Sequence, residues 1–585
     1  MWGLNKLYLL MEKQHNRGQD GAGIAAIKLN VEPGHPFMHR IRSAQSGAIS
    51  ALFQNIAEEV NDLTKYNPDI VNHPGLMKGH VKFLGELLLG HLRYGTQGKN
   101  NMEFCHPFIK RHTITTRNLA LAGNFNLVNT EELFGKLGID PGPFQKQSDL
   151  AAMMEIVHKH LVDADEASPA KPDIKKVLKD VIPQFDGGFT VGGVTGDGVG
   201  FVFRDPHGIR PCYYYIDEEV IVTASERAAI RTTFNVGENE VKELMPGNAL
   251  IVHENGSYEI EEVVTPKERK ACSFERIYFS RGSDEKIYKE RKALGFNLSE
   301  QVLNAIDFDL KNTIFSYIPN TAEVAFLGLQ KGMQMYLNKI KTERILSWGK
   351  DYDEEKLSEM INRRIRVGKI AIKDVKMRTF ITEDASRNEM VQHVYDVTYG
   401  TVRPGIDTIV IIDDSIVRGT TLKQSIIKML ARLKPKKILI LSSAPQIRYP
   451  DCYGIDMSKM GDFIAFNAAV DILKDRGKES LLDELWQQCK DMKEENRLDE
   501  ENLVKRIYKS STSTEIAYKI AEMITPKDLE IPVQVIFQSI EDLHKACPNN
   551  LGDWYFTGNY PTPGGNRVVN QAFMNYMEGK NERGY

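Results

Sequence analysis

The stretch TIVIIDDSIVRGTTL, residues 408–422, constrains this chain more than any other. A β-branched apolar run ends in two adjacent carboxylates, Asp413 and Asp414. A loop follows with Gly419 and the hydroxyls of Ser415, Thr420 and Thr421, and it opens a helix predicted over 421–433. A second apolar strand, KKILILSSAP, comes next. Strand, loop, helix and strand at this spacing form a parallel βαβ unit. Free N–H groups at a helix start draw a phosphate, and glycine lets the backbone approach it closely. The two acids would repel phosphate but suit hydroxyl groups. A phosphate beside a diol means a sugar phosphate. The plainer reading, a Rossmann-like turn with two solvated aspartates, leaves the Ser-x-x-x-Gly-Thr-Thr continuation unexplained. The stretch matches neither a Walker A motif nor a G-x-G-x-x-G fingerprint.

This loop resembles the sugar-phosphate motif of type I phosphoribosyltransferases. The resemblance implies that Asp413 and Asp414 hold the ribose hydroxyls of phosphoribosyl pyrophosphate (PRPP). It implies that Ser415, Arg418, Gly419, Thr420 and Thr421 hold the 5-phosphate. The implied reaction is displacement of pyrophosphate at C1. It needs Mg²⁺ because the leaving group is a polyanion, and Asp413 and Asp414 are the candidate metal ligands.

A second motif set occupies the N-terminal half. HNRGQDGAG begins at His15, GHLRYGTQG at Gly90, FRDPHGIRP at Phe203 and ASE at Ala224. In this order they resemble the class II glutamine amidotransferases, whose fold is an αββα sandwich with an N-terminal nucleophile. With YFSRGSD (278–284) and YGIDM (453–457) also in order, the whole resembles the family of glutamine PRPP amidotransferases. The resemblance spans about residues 4–470. It implies that Arg93 grips the α-carboxylate of glutamine and Asp149 its α-amine. Asn124 would donate to the tetrahedral oxyanion, while Arg17 and Gly18 would line the nucleophile's pocket.

Three departures stand out. Asn16 interrupts the family's His-Arg-Gly-Gln-Asp. Phe125 replaces the glycine of its Asn-Gly-Asn, which restricts φ at a backbone donor. No cysteine occurs among the 14 residues before His15, although the family's nucleophile is an N-terminal cysteine whose own amine acts as base. Cys105, Cys212 and Cys272 read as buried core thiols. The expectation is an N-terminally incomplete chain, with a sheet position left unfilled and no glutaminase activity of its own. Use of free ammonia, or a half-domain kept as scaffold, are the alternatives.

The fold expected is α/β plus α+β. Residues 1–255, rich in short strands, form the αββα-sandwich glutaminase domain. Residues 256–475, with βα alternation, form the phosphoribosyltransferase domain with a parallel sheet, and 335–370 read as a charged helical insertion. Residues 476–585 form a mostly helical C-terminal extension. The loop 376–400 offers Lys376, Arg378 and Arg387 for pyrophosphate, and YIPNTA (317–322) and SRGSD (280–284) offer further contacts.

The 585-residue length is ample for such an assembly, and a net charge of −4 with mixed signs argues against nucleic acid. No apolar run is long enough for a membrane span, and the N-terminus lacks the features of a signal peptide. Six scattered cysteines without a CxxC pair point to reduced thiols in the cytoplasm and to no iron–sulfur cluster. The expected ligands are PRPP and glutamine, a purine nucleotide as feedback inhibitor, and further copies of the chain in a homo-oligomer. Two rivals remain: a PRPP- or nucleotide-binding regulatory protein with a dead glutaminase, and a sugar isomerase coupled to the same glutaminase.

Overall fold

The computed structural model describes residues 1–585 except 33, 96–100, 143–147, 168–170, 350–352, 374–394, 456 and 585. The N-terminal half is four layers deep. Its centre is a pair of sheets packed face to face. One is antiparallel and six-stranded, in the order Tyr258–Glu262, Asn248–Val252, Gly200–Arg204, Gly187–Thr195, Leu119–Leu127, Phe108–Lys110. The other has Gly21–Ile27 between Met38–Ser43 and Leu87–Arg93, again antiparallel.

The strand Gly21–Ile27 shows why the layers form. Its side chains alternate with a period of two. Ala22, Ile24 and Ala26 pack under the helices Trp2–Lys13 and Ala48–Tyr66 with Leu4, Met11, Leu52 and Ile56. Ala25 and Ile27 face the second sheet through Ala120 and Val194. All seven residues are buried, so the strand has no polar face. Gly23 packs against the segment that leads into Phe108–Lys110: a Cβ there would lie 2.1 Å from the carbonyl oxygen of His106. Helices Thr130–Leu137, Asp149–Ala167 and Ile174–Val181 cover the outer face of the large sheet through Leu121, Val191, Phe203, Ile156 and Leu178. The layer order is the αββα expected.

The second half is built on a parallel sheet in the order Arg366–Val367, Thr313–Tyr317, Thr408–Asp413, Lys437–Ser442, Val533–Phe537. Ile409, Ile411, Ile438 and Ile440 enter one core; Val410, Ile412, Leu439 and Leu441 enter another on the opposite face. Burial on both faces is why these strands read as unbroken apolar runs. The helix predicted after the acidic pair begins at Leu422 and runs to Ala431, its first turn wound as a π-helix. The region after 475 is mostly helical, but it supplies Val533–Phe537 as the edge strand of the parallel sheet. Its Leu482, Val504, Trp554 and Phe573 belong to the same core as Ile409. Among the described residues no helix is long and apolar enough to cross a membrane.

Candidate functional site

A cleft of about 760 Å³ opens in the N-terminal half. Two sheet edges border it. Leu87–Arg93 is the outer strand of the three-stranded sheet, and Ile221–Ala224 is the outer strand of the small sheet that it forms with Tyr213–Ile216 and Lys242–Glu243. Arg93, Asn124, Asp149 and Arg17 all line this cleft, so the structure brings together four residues spread over more than a hundred positions.

Each is held differently. Arg93 is buried at the end of its strand, with its guanidinium 5.6 Å from the Phe104 ring centroid and a bond to the carbonyl of Asn101 at 3.3 Å. Asn124 sits in a strand opposite Thr190, and its Oδ1 accepts from Arg210 Nε at 3.1 Å. Arginine can only donate, so this bond assigns the oxygen and leaves Nδ2 as the end of Asn124 that donates. Asp149 begins the helix Asp149–Ala167, and its Oδ2 accepts from Leu127 N at 2.9 Å. Burial pushes this carboxyl up to about 6, opposed by that amide and by the charge of Arg583.

Gly18 is not a lining residue. It is a packing point: a Cβ would lie 2.5 Å from the carbonyl carbon of Arg93. Arg17 reaches the cleft wall, but its guanidinium is engaged with Glu226 at 2.8 Å and Glu275 at 2.7 Å. Asn16, the residue inserted in the motif, donates to Glu226 at 2.7 Å and to the carbonyl of Phe279 at 2.8 Å. Phe125 stacks on His106 at 5.7 Å, and His106 lies 4.2 Å from His91. Burial pushes His91 down to about 4 and His106 well below its usual range, so both imidazoles are neutral at pH 7.

All six cysteines are free and buried. Cys212 lines the cleft, and burial pushes its thiol up to about 12. Burial also raises Cys105, whose Sγ faces the carbonyl of Ser43 at 3.6 Å. Neither is an activated nucleophile.

Arg210 and Glu226 belong to the FRDPHGIRP and ASE motifs without an assigned role, and Glu275 lies outside every motif. Glu275 binds Arg17, Arg210 at 3.1 Å and Ser280 Oγ at 2.8 Å. These two cations and one hydroxyl outweigh burial and hold Glu275 at about 2. Asp205 shapes the turn that presents Arg210 by accepting from the backbone of His207 and Ile209 at 3.0 Å each. A polar chain therefore runs from Asn124 through Arg210 and Glu275 to Ser280, whose carbonyl accepts from Arg291 at 2.6 Å.

Arg291 leads to the second site. Asp413 ends its parallel strand and Asp414 follows, both half-buried. Burial, reinforced by the charge of Asp414, pushes Asp413 well up. Burial raises Asp414 to about 6 against the pull of Ser415, Arg291 and the Thr321 hydroxyl. Ser415 Oγ donates to Asp414 at 2.8 Å. Thr321 lies in the YIPNTA stretch, so the structure places that stretch at the acidic pair. Tyr278 and Tyr395 are each pushed up to about 12, by burial first and by the two carboxylates next.

Gly419 has φ of +69°, and a Cβ there would lie 2.5 Å from Ile464 Cδ1, so both backbone and packing require glycine. Thr420 and Thr421 are exposed at the mouth of the following helix. Arg418 is exposed and paired with Asp462 at 2.8 Å. Lys376, Arg378 and Arg387 lie outside the described residues.

The pair fits a divalent cation. Two adjacent, half-buried carboxylates stand side by side at the end of a strand, with the charge of Arg291 acting on Asp414. Mg²⁺ commonly takes only one or two carboxylates and completes its shell with water and substrate phosphates.

A glutamine amidotransferase domain model matches residues 106–232. The chain is 28% identical over 487 residues to the amidophosphoribosyltransferase of Escherichia coli K12, covering 80% of this chain and 81% of that one. It is 28% identical to the Bacillus subtilis enzyme of that name, over 80% of this chain and 82% of that one. The Saccharomyces cerevisiae counterpart is 26% identical over 85% of this chain and 82% of its own. The fold is similar to that of the solved glutamine PRPP amidotransferase from B. subtilis complexed with ADP and GMP. That match has a TM-score of 0.62 and 23% identity, over 95% of this chain and 94% of that one.

Proposed function

We propose that this chain, which belongs with the amidophosphoribosyltransferases, transfers nitrogen to C1 of PRPP, giving 5-phosphoribosylamine and pyrophosphate, the first step of de novo purine biosynthesis. The observation that carries this reading is the acidic pair at the C-terminal end of a central parallel strand, with Gly419, Thr420 and Thr421 opening the next helix. Asp413 and Asp414 accept from the ribose hydroxyls. The Gly419–Thr421 turn and Ser415 bind the 5-phosphate. Arg418 swings from Asp462 to reach it. The nitrogen attacks C1 as the bond to pyrophosphate breaks. Asp413 and Asp414 would hold Mg²⁺, whose charge would offset that of the departing pyrophosphate. Thr321 and Ser415 keep Asp414 oriented toward the sugar.

In the cleft, Arg93 takes the α-carboxylate of glutamine, Asp149 its α-ammonium and Asn124 Nδ2 the developing oxyanion. The described cleft holds one thiol, Cys212, raised to about 12. We therefore read this 585-residue chain as an ammonia-dependent transferase whose cleft binds glutamine without hydrolysing it. The same thiol observation supports a second reading, a PRPP- or nucleotide-binding regulatory protein. Purine nucleotides as feedback ligands, assembly as a homo-oligomer and a cytoplasmic site of action complete the proposal; free cysteines agree with the last.

Titration calorimetry with PRPP and Mg²⁺, followed by an ammonia-dependent pyrophosphate-release assay, tests this. Binding with turnover supports the transferase. Binding without turnover selects the regulatory reading, and no binding rejects the loop assignment.

A further inference from the structure

We propose that Arg583, delivered by the C-terminal tail, is a specificity-determining residue of the cleft: it competes with the α-ammonium of an amino-acid ligand for Asp149 and so helps set which ligands the cleft takes. The inference rests on the reading of the cleft as a glutamine site.

The tail reaches the cleft because the last helix is pinned to the N-terminal half. Thr562 Oγ1 donates to Asp186 at 2.5 Å and Gly564 N to the same carboxylate at 3.0 Å. Arg567, on the helix Pro563–Met577, bonds Glu132 at 2.8 Å and the carbonyl of Val128 at 2.6 Å. The chain then folds back on its own helix. Lys580 N donates to the carbonyl of Asn575 at 2.8 Å. The buried Asn575 donates Nδ2 to the carbonyl of Arg583, also at 2.8 Å. Gly584 lies so close to the helix that a Cβ would come within 2.2 Å of the carbonyl oxygen of Val568. Arg583 is thus anchored by its own backbone and by its successor.

From that anchor the half-buried Arg583 lines the cleft together with Asn126, Ser148 and Asp149. Its charge acts on Asp149 and opposes the effect of burial there. The carboxylate assigned to the ligand's ammonium already feels a cation of this chain. A zwitterionic amino acid must share Asp149 with that cation or move it; an acid without the amino group need not.

The test is titration calorimetry on the full chain with two probes: glutamine and glutaramate, the same molecule without its α-amino group. Arg583→Ala should bind glutamine about tenfold more tightly, the scale of one charge-assisted bond recovered. Its glutaramate affinity should not rise. Arg583→Lys keeps the charge and should behave as the parent chain does. Matching thermal unfolding curves confirm that the variants are folded. Glutamine affinity unchanged or weakened in Arg583→Ala overturns the inference and leaves the glutamine reading standing. Failure of every variant to bind either probe overturns the glutamine reading and the inference with it.

Discussion

The loop proposed for the sugar phosphate and the cleft proposed for glutamine are assembled in opposite ways. The loop gathers its groups from residues 408–422, on one strand, one turn and one helix start. The cleft draws on Arg17, Arg93, Asn124, Asp149, Arg210 and Arg583, from as many separate segments. The loop's carboxylates are raised by burial, with Arg291 among the groups that oppose this at Asp414. The junction behind the cleft is over-determined, with Glu275 serving two arginines and a hydroxyl. A locally built site depends on a few atoms that meet the substrate. A composite site depends on buried contacts that never do.

The sharpest break of this contrast is Glu275→Ala. It leaves Arg210 without its carboxylate partner inside the protein and Arg17 with Glu226 alone, a loss of about 3–5 kcal/mol for a buried pair. It also releases Arg210 from its place beside Asn124. Denaturant unfolding should show the loss of stability, and glutamine binding should fail before PRPP binding does. Next come Asp413→Asn and Asp414→Asn. Each removes a charged acceptor and should lower ammonia-dependent kcat/KM for PRPP by about 10- to 100-fold, with glutamine affinity unchanged. Wild-type turnover in either variant would remove the basis for the loop assignment.

Gly419→Ala should cost about 1–3 kcal/mol from a strained positive φ and the clash with Ile464. The expected readout is weaker PRPP binding, with the glutamine cleft again unaffected.

The pattern of residues made much of this legible. The acidic pair, Gly419 and the two threonines could be read because their spacing along the chain is their geometry. Arg93, Asn124 and Asp149 were legible as motif members, and the fold brings all three to one cleft. Gly18 shared a motif with Arg17 but serves packing against the Arg93 backbone. The Arg17–Glu275–Arg210 network was not legible, since ion pairs more than 60 positions apart have no local signature; its only trace was the presence of FRDPHGIRP and ASE as motifs. The edge strand Val533–Phe537 was missed because five residues inside a polar helical region give too short an alternation. Arg583 has no signal at all, because its position depends on how a whole helix docks.

A smaller effect is shared by the two sites and concerns pH. Asp149 and Asp414 have their carboxyls raised to about 6. The folded chain therefore holds more protons than the unfolded chain between the ordinary carboxylate range and pH 6. Stability contributed by these two groups is present at low pH and is lost as pH rises through 6. Glu275, held at about 2, works the other way: its contribution is present above the usual glutamate range and is lost as pH falls toward 2. Binding of Mg²⁺ and PRPP should expel a proton from the Asp413–Asp414 pair below pH 6. Calorimetry at pH 5.5 in buffers of different ionisation heat should detect that release, and Asp414→Asn should reduce it.

The most direct measurement compares nitrogen sources in one preparation. The 585-residue chain, with PRPP and Mg²⁺, is assayed for pyrophosphate release with high ammonia and then with glutamine, and ammonia release from glutamine is followed alongside. The account predicts robust turnover with ammonia and near-background rates with glutamine, since Cys212 is too basic a thiol to attack and Cys105 does not line the cleft. Robust glutamine hydrolysis, mapped by an electrophilic glutamine analogue to Cys212, Cys105 or any other residue of this chain, would contradict it.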